Sequence, residues 1–341
     1  KELTYTVQPG GRMNGRIRVP GDKSISHRSI MLGSIAEGVT EVSGFLEGED
    51  ALATLQAFRD MGVVIEGPER GRVRVHGVGL HGLKPAPGPL YVGNSGTSMR
   101  LLSGILSAQP FDTVMTGDAS LTKRPMERIA KPLRLMGADI QTTGERGTPP
   151  VSVHGASTAA KGGLKGIHYD MPVASAQVKS GVLLAGLWAD GETSVTEPAP
   201  TRDHTERMLK GFGYEVSVQG ATASLRGGGK LTATKIDVPS DISSAAFFLV
   251  AASIAPNSDL TLEHVGINPT RVGVINILKA MGGNLEVFNE REIGGEPVAD
   301  IRVRSAQLKG INIPEDQVPL AIDEFPALFI AAACAEGTTV L

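Results

Sequence analysis

Leu133-Arg134-Leu135-Met136-Gly137-Ala138-Asp139-Ile140 reads as an amphipathic helix that stops at a glycine and turns at once into a strand. The same phrase stands at Leu55…Asp60-Met61-Gly62-Val63-Val64-Ile65 and at Met208-Leu209-Lys210-Gly211-Phe212-Gly213-Tyr214-Glu215-Val216. It returns at Ile277-Leu278-Lys279-Ala280-Met281-Gly282-Gly283-Asn284-Leu285. Gly62, Gly137, Gly213 and Gly282 follow one another at intervals of 75, 76 and 69 residues, so the chain is built of repeats. Glycine suits each stop because the residue past a helix end often takes a left-handed conformation.

A second phrase interleaves with the first, an Ala-rich helix closing into a short turn and a Thr/Val strand. It reads Ala36-Glu37-Gly38-Val39-Thr40, Ala189-Asp190-Gly191-Glu192-Thr193 and Ala335-Glu336-Gly337-Thr338-Thr339. Closing strands follow at Val73-Arg74-Val75-His76-Gly77 and Val151-Ser152-Val153-His154-Gly155. The unit is therefore strand–helix–strand–helix–strand–strand. Counted from residue 21, four units end near Ser305 and a fifth begins around Ile311. The sequence stops at Leu341, where that unit's second helix is expected, so the architecture is expected to continue for a further unit or more. The opening Lys1 likewise suggests that the natural polypeptide starts earlier.

Composition narrows the class. A length of 341 residues favours two domains, and 41% hydrophobic with 20% charged residues supports a sizeable core. A net charge of −3 speaks against a general nucleic-acid binder, whose affinity comes from a basic surface. Any anionic ligand is then held by local clusters. The single cysteine, Cys334, excludes an internal disulfide framework and reads as a small core residue within Ala331–Ala335. No apolar run reaches the ~18 residues of a membrane span and no signal peptide opens the chain, so a cytoplasmic location is expected. The seven histidines lack metal-ligand spacing, and HExxH, P-loop and GxGxxG motifs are missing.

Chemistry concentrates at the starts of each unit's first helix. Val19-Pro20-Gly21-Asp22-Lys23-Ser24-Ile25-Ser26-His27-Arg28 places a lysine, hydroxyls and an arginine after a Pro-Gly turn and before the apolar run Ser29-Ile30-Met31-Leu32. Unpaired N–H groups and the helix dipole make such a start an anion site, which Lys23, Ser24 and Arg28 strengthen. Gly93-Asn94-Ser95-Gly96-Thr97-Ser98-Met99-Arg100 offers a second, with Gly96 permitting close approach to the backbone. Ser175-Ala176-Gln177-Val178-Lys179-Ser180, Asp241-Ile242-Ser243-Ser244 and Asp323-Glu324-Phe325-Pro326 occupy the same place in later units. Asp241 reads as a helix cap. In the basic run Lys123–Arg134, Arg128, Lys131 and Arg134 read as a solvated face, and Arg124, before Pro125, as the ligand-directed cation.

The Lys23 segment, the Gly96 segment and Lys123-Arg124-Pro125-Met126 together resemble the 5-enolpyruvylshikimate-3-phosphate synthase family, the 3-phosphoshikimate 1-carboxyvinyltransferases. Ser175-Ala176-Gln177, Thr201-Arg202-Asp203-His204-Thr205 and Ile322-Asp323-Glu324-Phe325-Pro326 match in the same order, across essentially the whole chain. The resemblance implies an α/β (α+β) fold, a two-domain inverse α/β barrel of βαβαββ units with helices inside and sheets outside. One domain is expected over 1–20 plus 239–341 and the other over 21–238, with hinges near 20–21 and 238–240. It implies a transferase that moves the enolpyruvyl group of phosphoenolpyruvate to the 5-hydroxyl of shikimate 3-phosphate, releasing phosphate, in bacterial chorismate and aromatic amino-acid biosynthesis. Carried over by motif, Lys23, Ser24, Arg28, Ser175, Ala176, Gln177, Arg202 and Asp323 would bind shikimate 3-phosphate. Lys23, Gly96, Arg124 and Gln177 would bind phosphoenolpyruvate, with Lys23 and Asp323 catalytic and Asp323 the general base. No metal or organic cofactor is implied.

Two departures qualify the match. Ala176 stands where many members have serine. The family's Leu-Arg-x-Lys-Glu-Ser-Asp-Arg motif and its later arginine are not among these 341 residues, so this chain by itself is expected to be inactive or nearly so. Gly96 implies sensitivity to the inhibitor glyphosate. A monomer without nucleic-acid or membrane partners is expected, with a fused upstream enzyme left open. The sister family of UDP-N-acetylglucosamine enolpyruvyl transferases fits less well, since it usually carries a reactive loop cysteine and a different N-terminal motif. A non-catalytic phosphate-ligand-binding or assembly module is the alternative from another class.

Overall fold

A computed structural model describes residues 2–341. Strand β1 (Asn14–Ile17) comes first. The first repeat follows as α1 (Lys23–Ile35), β2 (Glu37–Ser43), α2 (Glu49–Asp60), β3 (Val64–Glu69) and β4 (Arg72–Val78). The second is β5 (Leu90–Tyr91), α3 (Gly96–Ser107), β6 (Asp112–Thr116), α4 (Glu127–Leu135), β7 (Ile140–Thr142) and β8 (Val151–His154), trailed by the short α5 (Gly155–Ala160). The third is β9 (His168–Asp170), α6 (Ala176–Gly186), β10 (Glu192–Thr196), α7 (His204–Gly211), β11 (Ser217–Gln219) and β12 (Thr222–Arg226). Then come β13 (Lys235–Asp237), α8 (Ile242–Ile254), β14 (Asp259–Gly266), α9 (Gly273–Ala280), β15 (Asn284–Ile293), β16 (Glu296–Arg304) and α10 (Phe325–Cys334).

The repeated phrase closes the same way four times. Gly62, Gly137, Gly213 and Gly282 all have positive φ, from 78° to 101°. The residue after each glycine donates its N–H five residues back, to Phe58, Leu133, Leu209 and Leu278. The residue before each glycine (Met61, Met136, Phe212 and Met281) is buried, and its carbonyl accepts from the start of the next segment, at Lys84, Lys165, Thr232 and Lys309. A helix stop so defined satisfies its terminal carbonyls and anchors the following chain in one step.

Among the described residues four four-stranded sheets result, ordered β13-β2-β4-β3, β5-β6-β8-β7, β11-β12-β10-β9 and β1-β14-β16-β15. In the first three, one parallel pair joins two antiparallel ones, and in the fourth β1 runs parallel and β16 antiparallel to β14. The contiguous unit expected from residue 21 needs one correction. The opening strand of the first repeat is β13, paired parallel to β2 from some two hundred residues downstream, while β1 pairs with β14 in the fourth repeat. Edge pairing reads backbone geometry, not chain order, so the exchange leaves both sheets complete.

The chain falls into two compact units, one of residues up to Asp22, 239–292 and 297–341, the other of 23–238 and 293–296. Each has its own apolar core. In the second unit the first helices α1, α3 and α6 are enclosed on nearly every side. The sheets keep one face toward them and one toward water, as Val73 and Val75 buried between exposed Arg72 and Arg74 show. Helices α3 and α6 meet backbone to backbone: a Cβ on Gly104 would run into the Gly181 carbonyl oxygen. Among the described residues no helix is long and apolar enough to cross a membrane.

Two smaller expectations fail. Cys334 is exposed, because α10 packs through Phe325, Ala327, Leu328 and Ala331 and leaves Phe329, Ile330 and Cys334 outside. Arg134 does not join a solvated face; it folds back onto Glu127, at 2.7 and 3.2 Å, and onto the Ile140 carbonyl at 2.9 Å.

Candidate active site

Three helix starts of the second unit carry the expected residues. Lys23 opens α1 with its side chain about half exposed, and its Nζ lies 2.5 Å from Asp50 Oδ2 at the start of α2. Asp50 Oδ1 accepts the Asn94 N–H at 3.2 Å. Burial alone would raise the Asp50 carboxyl, but Lys23 and Asn94 hold it below the usual carboxylate range. Asp50 thus ties Lys23 to the Gly93–Gly96 loop. Below it, His27, Thr54 and Ser98 form a buried hydrogen-bonded trio joining α1, α2 and α3. Ser24 is half-buried. Arg28 points inward, 5% exposed, donating to Thr205 Oγ1 at 2.8 Å, the Ser24 carbonyl at 3.2 Å and Ser180 Oγ at 3.3 Å.

At α3, Ser95 caps the helix by accepting the Ser98 N–H at 3.0 Å, leaving Gly96 as the first helical residue. A Cβ on Gly96 would lie 2.6 Å from Arg100 Nη1 and 3.1 Å from Arg124 Nη1, so two guanidinium groups converge over this backbone position. Arg124 Nη2 donates to Asn94 Oδ1 at 3.2 Å. Arg100 donates to Gln177 Oε1 at 2.5 Å and to the Pro125 carbonyl at 3.1 Å, while Gln177 Nε2 donates to Thr97 Oγ1 at 2.9 Å. Burial, and then repulsion from Arg124 and Arg128, push the Arg100 guanidinium below its ordinary pKa. Such crowding of cations stores repulsion that an anion would relieve.

At α6, Ser175 caps the helix by accepting the Val178 N–H at 3.2 Å, with Ser175, Ala176 and Gln177 half-buried at its mouth. Gln177 therefore links this helix start to the Gly96 start. Behind them Lys179, 2% exposed, reaches Glu197 at 3.2 and 3.3 Å and Glu206 at 3.0 Å. Burial pushes the Glu206 carboxyl up, Lys179 only partly offsetting it. Arg202, half-buried, stands on the loop between Glu197 and α7.

Lys23, Gly96, Arg124, Ser175, Ala176, Gln177 and Arg202 thus lie in one unit, several linked through Asp50, Asn94 and Arg100. Asp323 lies in the other unit, exposed on a single helical turn before α10. In that unit Asp241 caps α8 as expected, accepting the Ser244 N–H at 3.3 Å. Arg271, 7% exposed, reaches Asp22 at 2.5 Å, Asp241 at 3.1 Å and Ser243 at 2.8 Å. Sequence reasoning passed over Arg100, Asp50 and Lys179. Arg100 follows Gly96 by four residues, one helical turn, which is the signal that could have found it. A separate groove of about 570 Å³ along Tyr214 and Gly227–Lys230 mixes Glu192 and Glu215 with Arg226 and Lys230, so it concentrates no charge of one sign.

Residues 7–341 match the family model of EPSP synthase (3-phosphoshikimate 1-carboxyvinyltransferase). The 3-phosphoshikimate 1-carboxyvinyltransferase of Methylococcus capsulatus is 68% identical over 341 residues, 100% of this chain and 77% of that protein. That of Alkalilimnicola ehrlichii is 66% identical over 339 residues, 99% of this chain and 75% of its own length. An EPSP synthase structure from Acinetobacter baumannii superposes with a TM-score of 0.93 at 72% identity, covering 98% of this chain and 74% of that one. The two-unit α/β architecture of repeated sheets and helices is accordingly the enolpyruvyl transferase fold, and the chain belongs to the EPSP synthase family, the 3-phosphoshikimate 1-carboxyvinyltransferases.

Proposed function

We propose that the family's reaction, transfer of the enolpyruvyl group of phosphoenolpyruvate to the 5-hydroxyl of shikimate 3-phosphate with release of phosphate, uses the helix starts just described. The observation that carries the assignment is the convergence of Arg100 and Arg124 over Gly96, with Gln177 shared between that helix start and the Ser175 start. Phosphoenolpyruvate, carrying a carboxylate and a phosphate, would relieve the repulsion there, with Gly96 leaving the backbone accessible and Lys23 alongside. Shikimate 3-phosphate would place its phosphate on Ser175, the Ala176 N–H and Arg202 at the start of α6, and its ring toward Lys23, Ser24 and Gln177. Ala176 gives a backbone contact only. Arg28, spent on Ser180 and Thr205, supports the site from beneath. Asp323 is assigned the general base that accepts the 5-hydroxyl proton as its oxygen bonds to the enolpyruvyl carbon while another acid protonates the methylene; the bond to phosphate then breaks as the methyl group gives up a proton and the double bond re-forms.

Orientation of two polyanions against their mutual repulsion is the main service of such a site. The missing side chain at Gly96 also favours glyphosate as a competitor of phosphoenolpyruvate. We take the working state to be a cytoplasmic monomer; sedimentation showing a stable dimer would reject the monomer. Calorimetric titration tests the site itself. Shikimate 3-phosphate should bind, and Lys23→Met should weaken it about tenfold or more, the worth of a charge-assisted contact. Unchanged affinity in Lys23→Met rejects the assignment.

A further inference from the structure

The loop Glu197-Pro198-Ala199-Pro200-Thr201-Arg202-Asp203 carries a proposed phosphate ligand, yet Pro198, Ala199 and Pro200 are exposed and cannot hold it in place by burial. Both of its ends return to one atom. Lys179 Nζ holds both oxygens of Glu197, where the chain leaves β10, and Glu206 Oε2 in the first turn of α7. Glu197 Oε2 in turn accepts the Thr201 hydroxyl at 2.6 Å, one residue before Arg202. The neighbouring pair repeats the stitch, Thr205 Oγ1 donating to Ser180 Oγ at 2.8 Å. Lys179 belongs to the helix whose mouth presents Ser175, Ala176 and Gln177. A lysine almost wholly out of water is costly to keep unless its partners compensate. Here the compensation also sets the distance between two parts of a binding site.

We propose that Lys179 is a positioning residue for shikimate 3-phosphate recognition, its ammonium group tying both ends of the Arg202 loop to the helix that presents Ser175, Ala176 and Gln177. The inference rests on the site reading above. A flexible loop would have to be ordered on binding, and the tie removes that cost in advance.

Calorimetric affinities for shikimate 3-phosphate and for phosphoenolpyruvate test it. Lys179→Met alone would leave two buried carboxylates facing each other, so it is combined with Glu197→Gln and Glu206→Gln. This triple variant should bind shikimate 3-phosphate about tenfold more weakly while phosphoenolpyruvate changes less than about twofold. Thr201→Val, which keeps the buried charges paired, should weaken shikimate 3-phosphate about threefold and decides alone if the triple variant does not fold. Equal loss of both ligands, or shikimate 3-phosphate affinity within about twofold of the parent, overturns the proposal. Arg202→Met separates the two levels. If it binds shikimate 3-phosphate normally, the site reading itself fails; if it weakens binding while Thr201→Val does not, only the positioning role is lost.

Discussion

Arg124 and Arg271 occupy the same place in two copies of the repeat, just before its second helix, and their surroundings are opposite. Arg271 is enclosed by Asp22, Asp241 and Ser243. Burial works against its charge, but Asp22, Asp241 and Glu324 outweigh it and raise its pKa. Arg124 has the side-chain amide oxygen of Asn94 and, close by, the guanidinium group of Arg100, itself also facing Arg128. The caps of the first helices show where the difference begins: Asp241 at α8, neutral Ser95 at α3. An acid at the cap turns the arginine into internal structure. A serine leaves its charge for a ligand.

Four measurements bear on that contrast. The largest effect is expected from Arg271→Met, which strands Asp22 and Asp241 without their cation and should cost about 3–5 kcal/mol in equilibrium denaturation. A loss under about 1 kcal/mol would mean the acids are not held as a charged pair around it. Arg124→Gln should do the reverse, leaving the free protein as stable or slightly more so while phosphoenolpyruvate binding falls by about 1.5–3 kcal/mol. Destabilisation of the free protein would show that Arg124 is structural after all.

Gly96→Ala comes next. The atoms nearest the new methyl are the flexible tips of Arg100 and Arg124, so the fold should hold while both tips shift. Glyphosate affinity is expected to fall by roughly 1 kcal/mol, about fivefold, with an unchanged melting temperature. The smallest effect concerns acid. Asp50 has its folded pKa below the unfolded value of about 3.9, so its contribution is present above that pH and lost as pH falls through the folded pKa. Lys23 is half exposed, which limits the effect to less than about 1 kcal/mol. Between about pH 7 and pH 3 the parent should lose more stability than Asp50→Asn. Equal losses would discard this account.

The repeat was legible because its defining event is local. A helix that stops at Gly62, Gly137, Gly213 or Gly282 needs only the glycine and the carbonyls of its own last turn. The family and its reaction were legible for a related reason: the motifs around Lys23, Gly96 and Ser175 are short and contiguous. Arg100 was passed over because its role depends on Arg124 folding back from later in the same repeat and on Gln177 reaching over from the next one. Asp50 was missed because nothing near it in sequence announces Lys23 as its partner. Cys334 was misjudged since an alanine-rich run does not say which of its faces is covered.

The sequence by itself determined the repeating unit, the helix starts and the chemical kind of residue at each, because glycine stops, caps and basic clusters act within one or two turns of chain. Tertiary structure alone decided which strand completes which sheet, and so that β13 rather than β1 opens the first repeat. It also decided which cations are neutralised and which converge on Gly96. Strand pairing and charge balance depend on distances in space between residues far apart in the chain, and no local pattern encodes them.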